Sequence, residues 1–193
     1  AIAYACGSIC ANQSDMIMAG GVEDMTDTFE PYPVEYQDEW LNEYAPGAYM
    51  AMGITAENIV ERYNISRKQM DELALESHKK AAKARKEGKF AKSIIPVEVE
   101  RDGKSTVFDI DEGIREDTTM ERLESLKPCF IKEEDGGRVT AATSSQTSDA
   151  AAFVAMMSED MAKEKNIKPI AKLIGYAVAG VDSTVMGLGP IKA

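Results

Sequence analysis

Small apolar residues crowd both ends of the chain, and a polar stretch separates them. At the front, Ile2, Cys6, Ile9 and Cys10 recur at helical spacing, which predicts a helix with a buried face over residues 1–11. A turn at Asn12-Gln13-Ser14 follows. Met16 to Ala19 then form a short apolar run ending at Gly20-Gly21, the pattern of a central strand. Residues 26–47 mix prolines and aromatics without a steady period and read as an extended, irregular segment.

The polar middle has its own periodicity. Thr55 opens a helix to about Tyr63. Ser66 followed by Gln69 is a capping box, in which the hydroxyl takes an orphan backbone N–H and the amide side chain reaches back. The helix it starts runs to about Glu87 and stops at Gly88, with Met70, Leu73, Ala74, Ser77, Ala81 and Ala84 as its apolar stripe. Residues 93–100 and 105–109 form a predicted hairpin turning at Asp102-Gly103. A short helix over 118–126, a turn at Asp135-Gly136-Gly137 and a helix over 159–165 complete the polar pattern. The apolar run 150–157 fits either helix or strand, and 171–178 reads as a second strand. No internal repeat or low-complexity tract interrupts this order. Apolar ends around a polar middle predict an α/β sheet interrupted by a long insertion.

Composition narrows the function classes. At 193 residues, 44% hydrophobic, the chain can build one domain, or one with an insertion. Its net charge of −11 lacks the basic footprint of a general nucleic-acid binder. Between Arg62 and Lys92, however, ten Lys/Arg stand against four Asp/Glu. That face is either simply solvated or meets an anionic ligand; contact with nucleic acid is the weakest reading. No apolar run is long enough for a membrane span, and no signal peptide is expected. Free thiols suit a reducing cytosol, so a cytoplasmic location is expected. The chain opens on Ala1 inside an apolar run, as a truncated chain would.

Single-residue chemistry stops short of a reaction. Cys6, Cys10 and Cys129 form no CxxC pair, so neither a disulfide framework nor a zinc site is expected. Cys6 and Cys10 read as small core hydrophobes. Cys129 has Lys127 and Lys132 nearby but no identifiable base. His78, the one histidine, sits among charged residues and reads as structural. Asp109, Asp111 and Glu112 do not complete a calcium loop, because the glycine comes early and the terminal bidentate Glu is missing. Gly20-Gly21 alone is a weak phosphate signal. Ser144, Ser145 and Thr147 before Asp149 read as a helix N-terminus with its cap, which could offer N–H groups to a ligand.

Several short signatures in one order carry more. They are Ala19-Gly20-Gly21-Val22-Glu23-Asp24-Met25, Met52-Gly53-Ile54-Thr55-Ala56-Glu57-Asn58, and Thr140-Ala141-Ala142-Thr143-Ser144-Ser145-Gln146-Thr147-Ser148-Asp149. Between and after them stand Asp111-Glu112-Gly113-Ile114-Arg115, Leu126-Lys127-Pro128-Cys129-Phe130, and Met186-Gly187-Leu188-Gly189-Pro190. Together they resemble the thiolases over essentially the whole chain, with the degradative 3-ketoacyl-CoA thiolases nearest. The resemblance implies a partial thiolase-fold layer, a mixed sheet with helices, interrupted by an α+β loop domain. Residues 1–25 would belong to the first-half core, 26–143 to the coenzyme A-binding loop domain, and 144–193 to the rest of that core and the start of the second half.

By position, Arg115 would lie near the adenine and phosphate end of coenzyme A, where a guanidinium can stack and pair. Phe130 and Ala141 would line the pantetheine tunnel, and Ser145 would hydrogen-bond the pantetheine amide from a helix N-terminus. Met52 and Met186 would shape the acyl pocket. Ala51, where some biosynthetic members carry histidine, favours the degradative branch.

The family chemistry is ping-pong acyl transfer on a cysteine, with coenzyme A as substrate and no covalently bound cofactor. The nucleophile would fall upstream of Ala1, and the histidine and second cysteine downstream of Ala193, so no catalytic residue is assigned within the chain. The missing second half and a homodimer or homotetramer are the implied partners. The chain departs from the family at Asp24, at Ala142-Thr143 where Gly-Asn is usual, and at Asp149-Ala150-Ala151 where Asp-Gly-Ala is usual. These changes keep open a non-catalytic, coenzyme A-binding or scaffolding alternative. The 193-residue chain by itself is expected to be inactive.

Overall fold

A computed structural model describes residues 1–28 and 36–193. In chain order it contains α1 (Ile2–Cys10), β1 (Met16–Glu23), α2 (Met25–Thr28), α3 (Glu39–Tyr44), α4 (Met52–Arg62) and α5 (Arg67–Lys86). Next come β2 (Val97–Arg101), β3 (Lys104–Phe108), α6 (Met120–Glu124), β4 (Ala150–Met157), α7 (Glu159–Glu164) and α8 (Gly189–Lys192). Short 3-10 turns lie at Glu133–Asp135, Ala141–Thr143 and Ser183–Leu188. The chain divides into two compact units. The first holds Ala1–Tyr49, Thr147–Asp182 and Leu188–Ala193; the second holds Met50–Gln146 and Ser183–Gly187.

In the first unit β1 pairs antiparallel with β4, in register from Met16 opposite Met157 to Glu23 opposite Ala150. The strand therefore runs through Gly20-Gly21 instead of ending there. The alanine-rich β4 has the composition of a helix, but pairing overrides that weak preference. Phe153 stands directly opposite Gly20, and a Cβ there would collide with its ring. The glycine thus provides the seat for an aromatic cross-strand neighbour. Asp149, just before β4, closes the strand pair. Its carboxylate accepts from the Met25 N–H at 2.8 Å, the Thr26 N–H at 2.9 Å and the Thr26 hydroxyl at 2.7 Å. These bonds hold its carboxyl below the usual aspartate range, the Thr26 side chain contributing most.

Two expectations in this unit are corrected. The helix α1 forms, but among its residues only Ala5 is buried, and Tyr4 is 83% exposed. Residues 171–178 form no strand: they find no ladder partner among the described residues, and Ile174, Tyr176 and Val178 stay exposed. An apolar alternating segment becomes a strand only beside another strand edge. Residues 29–35, part of the segment read as irregular, lie outside the described residues. The remainder of that segment includes α2 and α3, the latter capped by Asp38 accepting from the Leu41 N–H at 2.9 Å.

The second unit follows the sequence reading more closely. β2 and β3 form the expected hairpin, with Asp102 and Gly103 both at positive φ, 52° and 71°. That pair of angles is the turn whose twist matches a two-residue hairpin. Ser66 caps α5 as predicted, with both halves of the capping box formed. Gly88, at φ 67°, ends it. The helix read at 118–126 appears as α6; in the first unit, the run 150–157 resolves as strand and the helix read at 159–165 appears as α7.

The packing face of α5 differs in part from the predicted stripe. Asp71 and Ala82 are its buried residues; Arg67, Leu75, His78 and Arg85 are half-buried, as are Met70, Ala74, Ala81 and Ala84 of the predicted stripe, while Ser77 is exposed and Leu73 is 68% exposed. The two deepest positions each lie one residue beyond a stripe member, about 100° around the helix. The face also carries Arg67, Asp71, His78 and Arg85, whose hydrogen bonds a search for apolar periodicity passes over. Asp71, fully buried, receives both oxygens' bonds from the Arg67 Nε at 3.0 and 2.8 Å. The Arg67 Nη2 then donates to the carbonyls of Leu123 at 2.6 Å and Leu126 at 3.0 Å. A buried ion pair thereby fixes the end of α6 against α5 and orients the chain leading to Phe130.

Candidate functional site

Helix α4 gathers the apolar part of the candidate site. It starts at Met52, three residues before the expected Thr55, whose buried hydroxyl donates to the Met52 carbonyl at 2.8 Å. At its second residue, Gly53 lies against Phe130, and a Cβ there would enter the Phe130 ring. Further along, Glu57 is buried and accepts from the Arg138 N–H at 2.8 and 3.1 Å and the Val139 N–H at 2.8 Å. That carboxylate fixes the chain entering Thr140 and Ala141. Asn58 Nδ2 donates to the Thr184 carbonyl at 2.9 Å and contacts the Met50 Sδ at 3.4 Å. A Cβ at Gly187 would approach the Ile59 Cδ1 to 2.9 Å, so residues 183–187 lie close along α4. Neighbouring positions of one helix thus hold the segments of Phe130, Ala141 and Met186.

The polar part is built on α5. The Arg85 Nη1 donates to the Asp111 carbonyl at 3.2 Å, and the Arg85 Nη2 pairs with Glu116. The Lys86 Nζ also approaches Glu116, at 3.5 Å. The Arg85 guanidinium first, and Lys86 in addition, hold the Glu116 carboxyl below its usual range. Within the loop, the Asp111 Oδ1 accepts from the Gly113 N–H at 3.2 Å. The Arg115 N–H donates to the His78 Nδ1 at 3.2 Å. Gly113 lies against Gln146, whose side chain fills the space a Cβ would take. The Arg115 loop therefore borders the residue following Ser145.

All six residues singled out by resemblance, Met52, Arg115, Phe130, Ala141, Ser145 and Met186, lie in the second unit although they span the chain from 52 to 186. Met52, Phe130 and Met186 are exposed at 71%, 41% and 46%. Ser145 requires a correction: no helix begins there. Residues 145–149 are irregular, Ser144 turns back to donate to the Thr140 carbonyl at 2.8 Å, and Asp149 is engaged with α2. The Ser145 hydroxyl thus has no helix N-terminus behind it.

The cysteines of α1 are not core residues as expected: Cys10 is exposed and Cys6 half-buried, because only Ala5 of that helix is buried. Burial, and then the neighbouring Cys10 thiol, push the Cys6 thiol up, away from a reactive thiolate. Cys129 is exposed, with its Sγ 3.8 Å from the Lys127 carbonyl. No group of three or more metal-ligating side chains occurs among the described residues. No described helix is long and apolar enough to cross a membrane. Sequence reasoning passed over Gly53, Glu57, Asn58, Arg85 and the use of His78. Gly53, Glu57 and Asn58 stood inside a quoted signature, and that was the signal available for them.

The family model described as Thiolase, N-terminal domain, matches residues 1–160. The chain belongs to the thiolase family. It is 41% identical over 201 aligned residues to a 3-ketoacyl-CoA thiolase of Bacillus subtilis (strain 168), covering 100% of this chain and 51% of that protein. Among solved structures, it resembles the dimeric peroxisomal thiolase of Saccharomyces cerevisiae with a TM-score of 0.89 and 34% identity, covering 98% of this chain and 48% of that one. Human mitochondrial 3-ketoacyl-CoA thiolase in complex with CoA matches with a TM-score of 0.82 and 31% identity, over 100% of this chain and 50% of that one. The chain spans about half the length of the relatives it matches. The α/β class therefore stands as part of a thiolase fold, and within this thiolase chain each described sheet is a two-stranded antiparallel pair.

Proposed function

We propose that the full-length protein is a thiolase-type acyltransferase. It would cleave 3-ketoacyl-CoA with coenzyme A to acetyl-CoA and a shortened acyl-CoA, or run the reverse condensation. This chain would be its coenzyme A-holding part, with residues 26–143 as the inserted loop domain. The observation that carries the reading is the convergence on α4, where Gly53, Glu57, Asn58 and Ile59 engage the segments of Phe130, Ala141 and Met186. Such a wall, apolar and thioether-lined, together with the Arg115 guanidinium, suits a ligand with an acyl arm, a pantetheine arm and an anionic nucleotide.

In this scheme a cysteine thiolate outside the chain attacks the 3-keto carbon. The bond between C2 and C3 breaks, a second cysteine outside the chain gives its proton to C2, and acetyl-CoA leaves. A second coenzyme A thiol then passes its proton to that cysteine as its sulfur takes the acyl group and frees the nucleophile as thiolate. The chain's own residues hold and orient: Met52 and Met186 the acyl arm, Phe130 and Ala141 the pantetheine, Ser145 its amide, and Arg115 the nucleotide end. Coenzyme A is a substrate here. A homodimeric or homotetrameric assembly and a cytoplasmic location complete the proposal.

The non-catalytic alternative rests on the Ala142-Thr143 and Ala150 departures; Ala150 pairs with Glu23 at the start of β4. In the structure Thr143 is well used: its hydroxyl accepts from the Thr140 N–H at 2.9 Å and lies 3.2 Å from the Thr140 carbonyl. A satisfied turn is not the mark of a decayed site, so the enzymatic reading is preferred. Assay of the full-length protein with 3-ketoacyl-CoA substrates of several lengths tests it. Acetyl-CoA release dependent on coenzyme A is expected, and its absence at every length overturns the proposal. The 193-residue chain by itself should show no turnover.

A further inference from the structure

His78 is half-buried on the polar face of α5, and its Nδ1 accepts the backbone N–H of Arg115 at 3.2 Å. We propose that His78 is a positioning residue for nucleotide recognition, acting through the backbone of Arg115. The inference rests on the thiolase-type reading of Arg115 given above.

The Arg115 guanidinium has no hydrogen bond or ion pair within the chain among the described residues. Its acidic neighbours are already engaged, Glu116 by Arg85 and Lys86, and Asp117 by Arg122. Among the described residues the guanidinium acts on the Asp117 carboxylate only through charge and behind Arg122, which takes the hydrogen bond, so the backbone from which it grows is its main guide. The backbone at Arg115 is held on both sides. Its carbonyl accepts from the Thr118 hydroxyl at 2.9 Å, and its N–H is held by His78. The Thr118 contact is internal to the loop and moves with it. The His78 contact ties the loop to a twenty-residue helix whose start is fixed by a capping box. Acceptance at Nδ1 requires the neutral ring with its proton on Nε2. A long, flexible arginine held only at its root gains most from a rigid root, because less freedom is lost when it meets its ligand.

The test uses the full-length protein, with coenzyme A and pantetheine as separate ligands in calorimetric titrations and steady-state assays. His78→Leu keeps bulk and removes the acceptor. His78→Asn places an amide oxygen near the Nδ1 position. Losing one hydrogen bond should weaken coenzyme A binding about three- to tenfold. The same loss should raise the KM for coenzyme A with kcat unchanged, leave pantetheine binding unaltered, and be largely restored in His78→Asn. In an Arg115→Gln background, the His78→Leu change should have no further effect on coenzyme A.

Wild-type binding of coenzyme A with His78→Leu equal to wild type overturns the inference and leaves the functional reading intact. Equal weakening of coenzyme A and pantetheine, or an undiminished effect in the Arg115→Gln background, also overturns it, since His78 would then be merely structural. Failure of the wild type to bind coenzyme A overturns both. If His78→Leu does not fold, His78→Asn and Arg115→Gln decide: wild-type coenzyme A affinity in the first and reduced affinity in the second support the proposal, and any other pair of results overturns it.

Discussion

Gly53 and Glu57, one helical turn apart, organise the site in different ways. Gly53 matters for what it lacks. A methyl group there must displace the Phe130 ring, which is the pantetheine wall in the proposed function. Gly53→Ala would ordinarily stabilise a helix by about 1 kcal/mol; here it should destabilise instead. In a Phe130→Ala background the ring is gone and the helix preference should reappear. Denaturant unfolding of the four proteins should give a coupling of about 0.5–3 kcal/mol. Additive effects would mean that the ring does not rest on Gly53. Glu57 matters for its charge, since three short contacts from two backbone N–H groups converge on its carboxylate. Glu57→Gln keeps the shape but brings an amide N–H2 against a backbone donor. It should cost about 1–3 kcal/mol of stability, the range for a buried donor left unmatched. Unchanged stability would show that the carboxylate is dispensable.

At the scale of elements, the sequence disclosed most where the determinant is local. The capping box at Ser66, the Asp102-Gly103 turn and the glycine stop at Gly88 are all found where they were read, because each depends on residues a few positions apart. The packing face of α5 is only partly legible: Met70, Ala74, Ala81 and Ala84 are half-buried as expected, but its polar contacts run through Arg67, Asp71, His78 and Arg85 to partners far along the chain. Residues 171–178 were misread for the opposite reason: alternation is local, but a strand requires a partner. The six candidate site residues were legible only through family signatures, since nothing in the spacing of Met52, Phe130 and Met186 indicates that all three segments adjoin one helix. The buried ion pair of α5 yields an element-level prediction. Arg67→Lys retains the charge but loses the fork that reaches Asp71, Leu123 and Leu126 together. Hydrogen exchange should quicken in α6 and at 126–130 while the β2–β3 hairpin is unaffected. A uniform change across the chain would instead mean that the pair only adds global stability.

For the whole molecule, each compact unit has a carboxylate at a structural tie. Asp149 closes the first unit through Met25 and Thr26, and Glu116 holds the Arg115 loop to α5 in the second. Both carboxyls sit below their usual ranges, Asp149 because of the Thr26 and Met25 hydrogen bonds, Glu116 because of Arg85 and then Lys86. A depressed carboxyl binds its proton more weakly in the folded chain than in the unfolded one. Its contribution to stability is therefore complete above the usual carboxylate pKa of about 4 and is lost as pH falls through the lower, folded value. Both groups are accessible to solvent, so salt should reduce the effect of the Glu116 ion pairs more than that of the Asp149 hydrogen bonds. Hydrogen exchange followed from about pH 6 to about pH 3, across the ordinary carboxylate range, should show both regions loosening on the acid side. Asp149→Asn should remove part of that acid dependence at α2 and the β4 end while leaving the Arg115 loop as in wild type. Glu116→Gln should do the reverse. Loosening that began above the usual carboxylate range, or that both substitutions altered alike, would assign the acid response to other groups.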